Sequence, residues 1–127
     1  MLHVIKLISV VMEKLCRIRD IQRAVNHFEL EFEARYGICL NEGMVLCSLS
    51  GAESLTSGEL SSLLGLTCSN TSKVISSVER KGFVKRLLGT KDKRQMYFSL
   101  TPEGRELIGS IHCTELEVPE IIRPLVD

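Results

Sequence analysis

The stretch from Phe83 to Gly104 reads FVKRLLGTKDKRQMYFSLTPEG, and near its centre Lys91, Asp92, Lys93 and Arg94 stand in consecutive positions. A carboxylate two residues before an arginine can hold the guanidinium fork in one orientation. An arginine so aimed suits a narrow groove in which negative potential is concentrated. The flanking lysines would displace counterions from a polyanion, giving affinity that is blind to sequence and sensitive to salt. A second group lies upstream. Ser69, Asn70, Ser72, Lys73 and Ser76 offer hydroxyls, an amide and one cation, small groups that reach base edges while letting a backbone come close. Thr56, Ser57 and Arg86 are candidate phosphate donors. The chemistry implied is recognition of a nucleic acid. No glycine-rich phosphate loop, nucleophile–base pair or paired carboxylates point to an enzyme, and no cofactor is expected.

These residues need elements to position them. Apolar side chains recur at Val4, Ile8, Val11, Leu15, Ile18, Ile21, Val25, Phe28 and Phe32, a three- or four-residue spacing that predicts one long helix over 4–35. Such a helix carries more apolar face than a small domain covers, so part of the stripe is expected to meet another chain. Asn41 is expected to cap a second helix over 42–50, with Met44, Val45 and Leu49 inward. A short strand is placed near Glu53–Leu55. Thr56 and Glu59 have the spacing of a capping box, opening a third helix with Leu60, Leu63 and Leu64 toward the core. Gly65 ends it, and Thr67 or Ser69 caps a fourth helix running to Lys81. Thr71, Val74, Ile75 and Val78 form the apolar side of that helix, opposite the serines 69, 72, 76 and 77. Then Phe83–Leu88 and the alternating Met96, Phe98 and Leu100 predict a hairpin. Thr101 and Pro102 restart a helix.

The totals set limits. The 127 residues suffice for one domain. Net charge is zero, yet residues 67–94 hold eight cations and two anions, a basic block that predicts an anionic partner. Neither a membrane span nor a signal peptide fits the N-terminus, because Lys6, Glu13 and Lys14 interrupt it. Five cysteines without C-x-x-C spacing predict free thiols in a reducing cytoplasm. His3, His27 and His112 show no metal-ligand spacing, and no metal site is expected.

The stretch LTSGELSSLLGLTCSNTSKVISSVERKGFVKR, followed by DKRQMYFSLTPEGRELI, resembles the DNA-binding lobe of the MarR family of bacterial and archaeal transcriptional regulators. The matches that carry it are VERKGFVKR (Val78–Arg86), Asp92 with Arg94, and SLTPEG (Ser99–Gly104); the likeness covers about residues 40–110. It implies a mainly α fold with a small β-hairpin wing (α+β). Residues 1–127 would form a single MarR-like domain, with a winged helix-turn-helix lobe at 40–101 and dimerisation helices at 1–37 and 102–127. It also implies a homodimer joined in part through Ile8, Val11, Leu15 and Ile18, double-stranded DNA as partner, and a pseudo-palindromic operator. The wing Arg94 would enter the minor groove with Asp92 positioning it. Repression relieved by a small-molecule effector is implied as well. Two alternatives stand beside this: a winged helix used for protein interaction, and a thiol-based redox sensor. Cys16 lies about where the peroxide-sensing branch of the family keeps its reactive cysteine.

Overall fold

The computed structural model describes residues 1–89, 94–113 and 116–127. Its elements, in chain order, are α1 (Leu2–Tyr36), α2 (Leu40–Ser50), β1 (Leu55–Thr56), α3 (Ser57–Leu64), α4 (Cys68–Arg80), β2 (Val84–Leu88), β3 (Met96–Leu100), α5 (Pro102–Cys113) and α6 (Arg123–Val126). They fall into two compact units, one of Met1–Glu31 with Glu117–Asp127 and one of Phe32–Leu116. The sequence placed these divisions at 37/40 and 101/102.

The larger unit holds every buried apolar side chain among the described residues, from Phe32 and Ile38 to Ile108 and Ile111. Helix α5, expected to serve dimerisation, packs here on α2 and β3. A tight contact explains its docking. A Cβ at Gly104 would collide with the Phe83 carbonyl oxygen. The Thr101 hydroxyl donates to the Gly82 carbonyl at 2.7 Å and accepts the Gly104 N–H at 3.1 Å. Threonine and glycine of the TPEG run thereby fix the start of α5 against the turn that closes α4.

The sheet is antiparallel in the order β1-β3-β2. Val84 faces Leu100, Lys85 faces Ser99 and Arg86 faces Phe98, while Leu55 faces Phe98 across the other edge. Because β3 is the central strand, the alternation read from its sequence does not become alternating burial: Phe98, Ser99 and Leu100 are all buried. A central strand can be covered on both faces. The Gly89 N–H donates to the Gln95 carbonyl at 2.9 Å, closing the base of the wing loop.

Caps decide where the helices begin. Thr56 accepts the Glu59 N–H at 3.1 Å while Glu59 accepts the Thr56 N–H at 3.3 Å, the reciprocal pair that satisfies two otherwise orphaned donors. Thr67 caps α4 by accepting the Asn70 N–H at 3.1 Å. Gly65 adopts φ +67° and ends α3 in the left-handed conformation that glycine tolerates best. The cap of α2 is Cys39 rather than Asn41, and Met44 and Leu63, expected inside, are exposed. Met44 lies between buried Gly43 and Val45, and Leu63 lies between exposed Ser62 and half-buried Leu64, so both fall off the inward stripe.

The smaller unit buries no side chain. Between Leu2 and Met12, Leu2, Val4, Ile5, Leu7, Ile8, Val10, Val11 and Met12 are all substantially exposed. At 100° per residue they surround the helix rather than striping it, a pattern that ordinarily belongs to an enclosed helix. No helix among the described residues is long and apolar enough to cross a membrane.

Candidate nucleic-acid interface

Helix α4 presents the expected outer face. Ser69, Asn70, Ser72 and Lys73 are exposed and Ser76 is half-buried, while Thr71, Ile75 and Val78 are buried beneath them. The short turn at 65–67 leads straight into this face, so its polar groups cluster on the N-terminal half of the helix.

Ser77 does not belong to that face. Its hydroxyl donates to Glu42 Oε2 at 2.8 Å, and Lys81 Nζ reaches Glu42 Oε1 at 2.9 Å. Glu42 is 4% exposed and also accepts the Cys39 N–H at 2.9 Å. Lys81 further donates to the Gly37 carbonyl at 3.1 Å. One carboxylate thus joins the start of α2 to the last turns of α4. Burial would push the Glu42 carboxyl up, but the Cys39 N–H, the Lys81 ammonium and the Ser77 hydroxyl outweigh it and hold it below its ordinary value. At Cys39 burial dominates and pushes the thiol up, which leaves it a poor nucleophile.

Arg86, expected at a phosphate, is engaged elsewhere. Its Nε and Nη2 donate to both Glu79 carboxylate oxygens at 2.8 and 3.0 Å, and the guanidinium lies 5.6 Å from the Phe98 ring centroid. Glu79 holds it still more firmly charged. A fork bound this way braces α4 against β2, and the Glu79 carboxylate offsets its charge. Thr56 is likewise committed, since its hydroxyl accepts the Glu59 N–H and donates to Glu59 Oε1 at 3.0 Å. Ser57 is exposed at the first turn of α3.

In the wing, Lys91, Asp92 and Lys93 lie outside the described residues, and Arg94 is exposed beside the foot of β3. Ile8, Val11, Leu15 and Ile18 are each more than half exposed. Cys16 is half-buried on α1.

Sequence reasoning missed Glu42 and its partners. The signal was present as a three-residue spacing from Cys39, but cysteine is not among the usual caps, and nothing local marks Ser77 or Lys81 as its partners.

Two helices joined by a glycine turn, the second with a polar outer face, followed by a β2–β3 hairpin that pairs with β1 in a three-stranded sheet, make a winged helix-turn-helix lobe. The MarR family model matches residues 38–96. The HTH-type transcriptional regulator PapX of Escherichia coli is 29% identical over 119 residues, which span 80% of this chain and 73% of that protein. PrsX of Escherichia coli, also an HTH-type transcriptional regulator, is 40% identical over 76 residues, 58% of this chain and 46% of its own length. The reduced form of MarR from E. coli has a similar structure, with TM-score 0.66 and 25% identity, covering 75% of this chain and 70% of that one. Residues 38–96 match the MarR family, and the similar proteins of known type are HTH-type transcriptional regulators; together these support a regulator of the MarR type.

Proposed function

We propose that this chain binds double-stranded DNA sequence-specifically as a homodimer and represses transcription from a pseudo-palindromic operator. The observation that supports this most directly is the outer face of α4, where Ser69, Asn70, Ser72 and Lys73 stand exposed on a buried apolar base. Small polar groups on a well-anchored helix suit a major groove, where hydroxyls and amides meet base edges. Arg94, with Asp92 as its positioning group, serves the minor groove. Ser57 and Lys73 are the phosphate contacts that this arrangement favours, in place of Arg86 and Thr56.

The homodimer reading draws on the exposed Ile8, Val11, Leu15 and Ile18. Two α4 helices would then enter successive major grooves roughly 34 Å apart. Relief by a small-molecule effector completes the proposal. The cytoplasm is its compartment.

Fluorescence anisotropy tests the reading. Random duplex should bind with steep salt dependence, and selection from a random pool should return an inverted repeat. Absence of duplex binding at low salt would overturn it in favour of a protein-interaction module. Sensing through Cys16 predicts that peroxide abolishes duplex binding and that Cys16→Ser restores it.

A further inference from the structure

A concavity of about 500 Å³ opens in the larger unit between the residues before β1, the face of β2 and β3, and the first turn of α5. Lys85 and Ser99 are direct cross-strand partners and stand side by side on that face. Arg105 approaches from α5, and Glu53 and Ser54 from the other side. Ser99 is only 7% exposed, and its hydroxyl makes no hydrogen bond among the described residues. That hydroxyl is free to donate to or accept from an occupant of the concavity. Lys85 and Arg105 likewise form no ion pair among the described residues.

The lining fixes the chemistry of an occupant. Two cations against the single carboxylate of Glu53 leave one net positive charge, which matches a monoanion better than a phosphate dianion. Leu87, Leu100 and Pro102 supply the apolar remainder, and none of them is aromatic, so an aliphatic body fits. The volume lies within the range of small-molecule sites.

We propose that this concavity binds a small aliphatic carboxylate. Its head lies between Lys85, Ser99 and Arg105, and its chain lies on Leu87, Leu100 and Pro102. As the site of the effector invoked above it rests on the regulatory reading, but binding itself does not.

Hexanoate is a suitable probe, followed by amide chemical shifts in 1H–15N spectra of the full chain. Millimolar hexanoate should move the resonances of 53–54, 85–87 and 99–105. Arg105→Gln, an exposed position, should weaken this at least about tenfold, the scale of losing one charge-assisted hydrogen bond. Ser99→Ala should weaken it less while keeping the spectrum folded. Hexan-1-ol producing equal shifts would overturn the proposal, since it lacks the charge. Inorganic phosphate binding as tightly would overturn the carboxylate assignment, and so would an unshifted spectrum with hexanoate. Arg105→Gln should keep its affinity for random duplex, so loss of hexanoate binding is separable from failure of DNA binding.

Discussion

Replacing Glu42 by Gln keeps its volume and one acceptor oxygen but removes the charge that three donors share. Two of those donors, the Cys39 N–H and the Ser77 hydroxyl, are uncharged and lie at 2.9 and 2.8 Å. Hydrogen bonds to a charged group contribute about 1.5–3 kcal/mol each. The third is Lys81, whose side chain is 35% exposed, so solvent screening reduces its share to under ~1 kcal/mol. The glutamine keeps roughly half of the neutral contacts and turns an N–H₂ toward a donor. The expected loss is therefore about 2 kcal/mol, and Glu42→Ala should lose about 3–4 kcal/mol. For a chain of this size the glutamine variant should melt roughly 8 °C lower at neutral pH.

The pH dependence carries its own sign. The folded-state carboxyl lies below its ordinary value, so its contribution is fully present above the unfolded pKa, about 4.3, and fades as pH falls through the folded one. Thermal melts from neutral pH down to about pH 3 should show the gap between parent and Glu42→Gln closing in acid. Equal melting temperatures at neutral pH, or a gap that widens in acid, would refute the view that this carboxylate anchors α4.

Other predictions concern separate contacts. Gly104→Ala should destabilise by about 2 kcal/mol or more, because its methyl meets the Phe83 carbonyl oxygen with no room to yield; chemical denaturation measures this. In DNA-binding assays, Lys73→Ala should reduce the salt slope by about one unit, whereas Asn70→Ala should change sequence preference at unchanged slope. Arg86→Ala should leave that slope unaltered, since Glu79 already neutralises its charge. Ile8→Glu with Leu15→Glu should shift sedimentation from dimer toward monomer.

The elements were readable wherever a local rule sets them. Thr56 with Glu59, Thr67, Gly65 and the Thr101–Pro102 start all sit where capping and turn chemistry place them. The outer face of α4 followed from helical periodicity for the same reason. What escaped was tertiary. Ser77 has the same side chain as Ser72, yet one bonds a buried carboxylate thirty-five residues away and the other faces out. Arg86 reads as one more cation in a basic block until Glu79 is seen across from it. Met44 and Leu63 were misplaced because an apolar residue beside a stripe looks much like one within it.

Among the described residues every buried apolar side chain lies between Phe32 and Ile111, so the core beneath α4 is assembled within that span. Exchanging one exposed side chain for another along Leu2–Met12 therefore leaves the packing beneath α4 untouched.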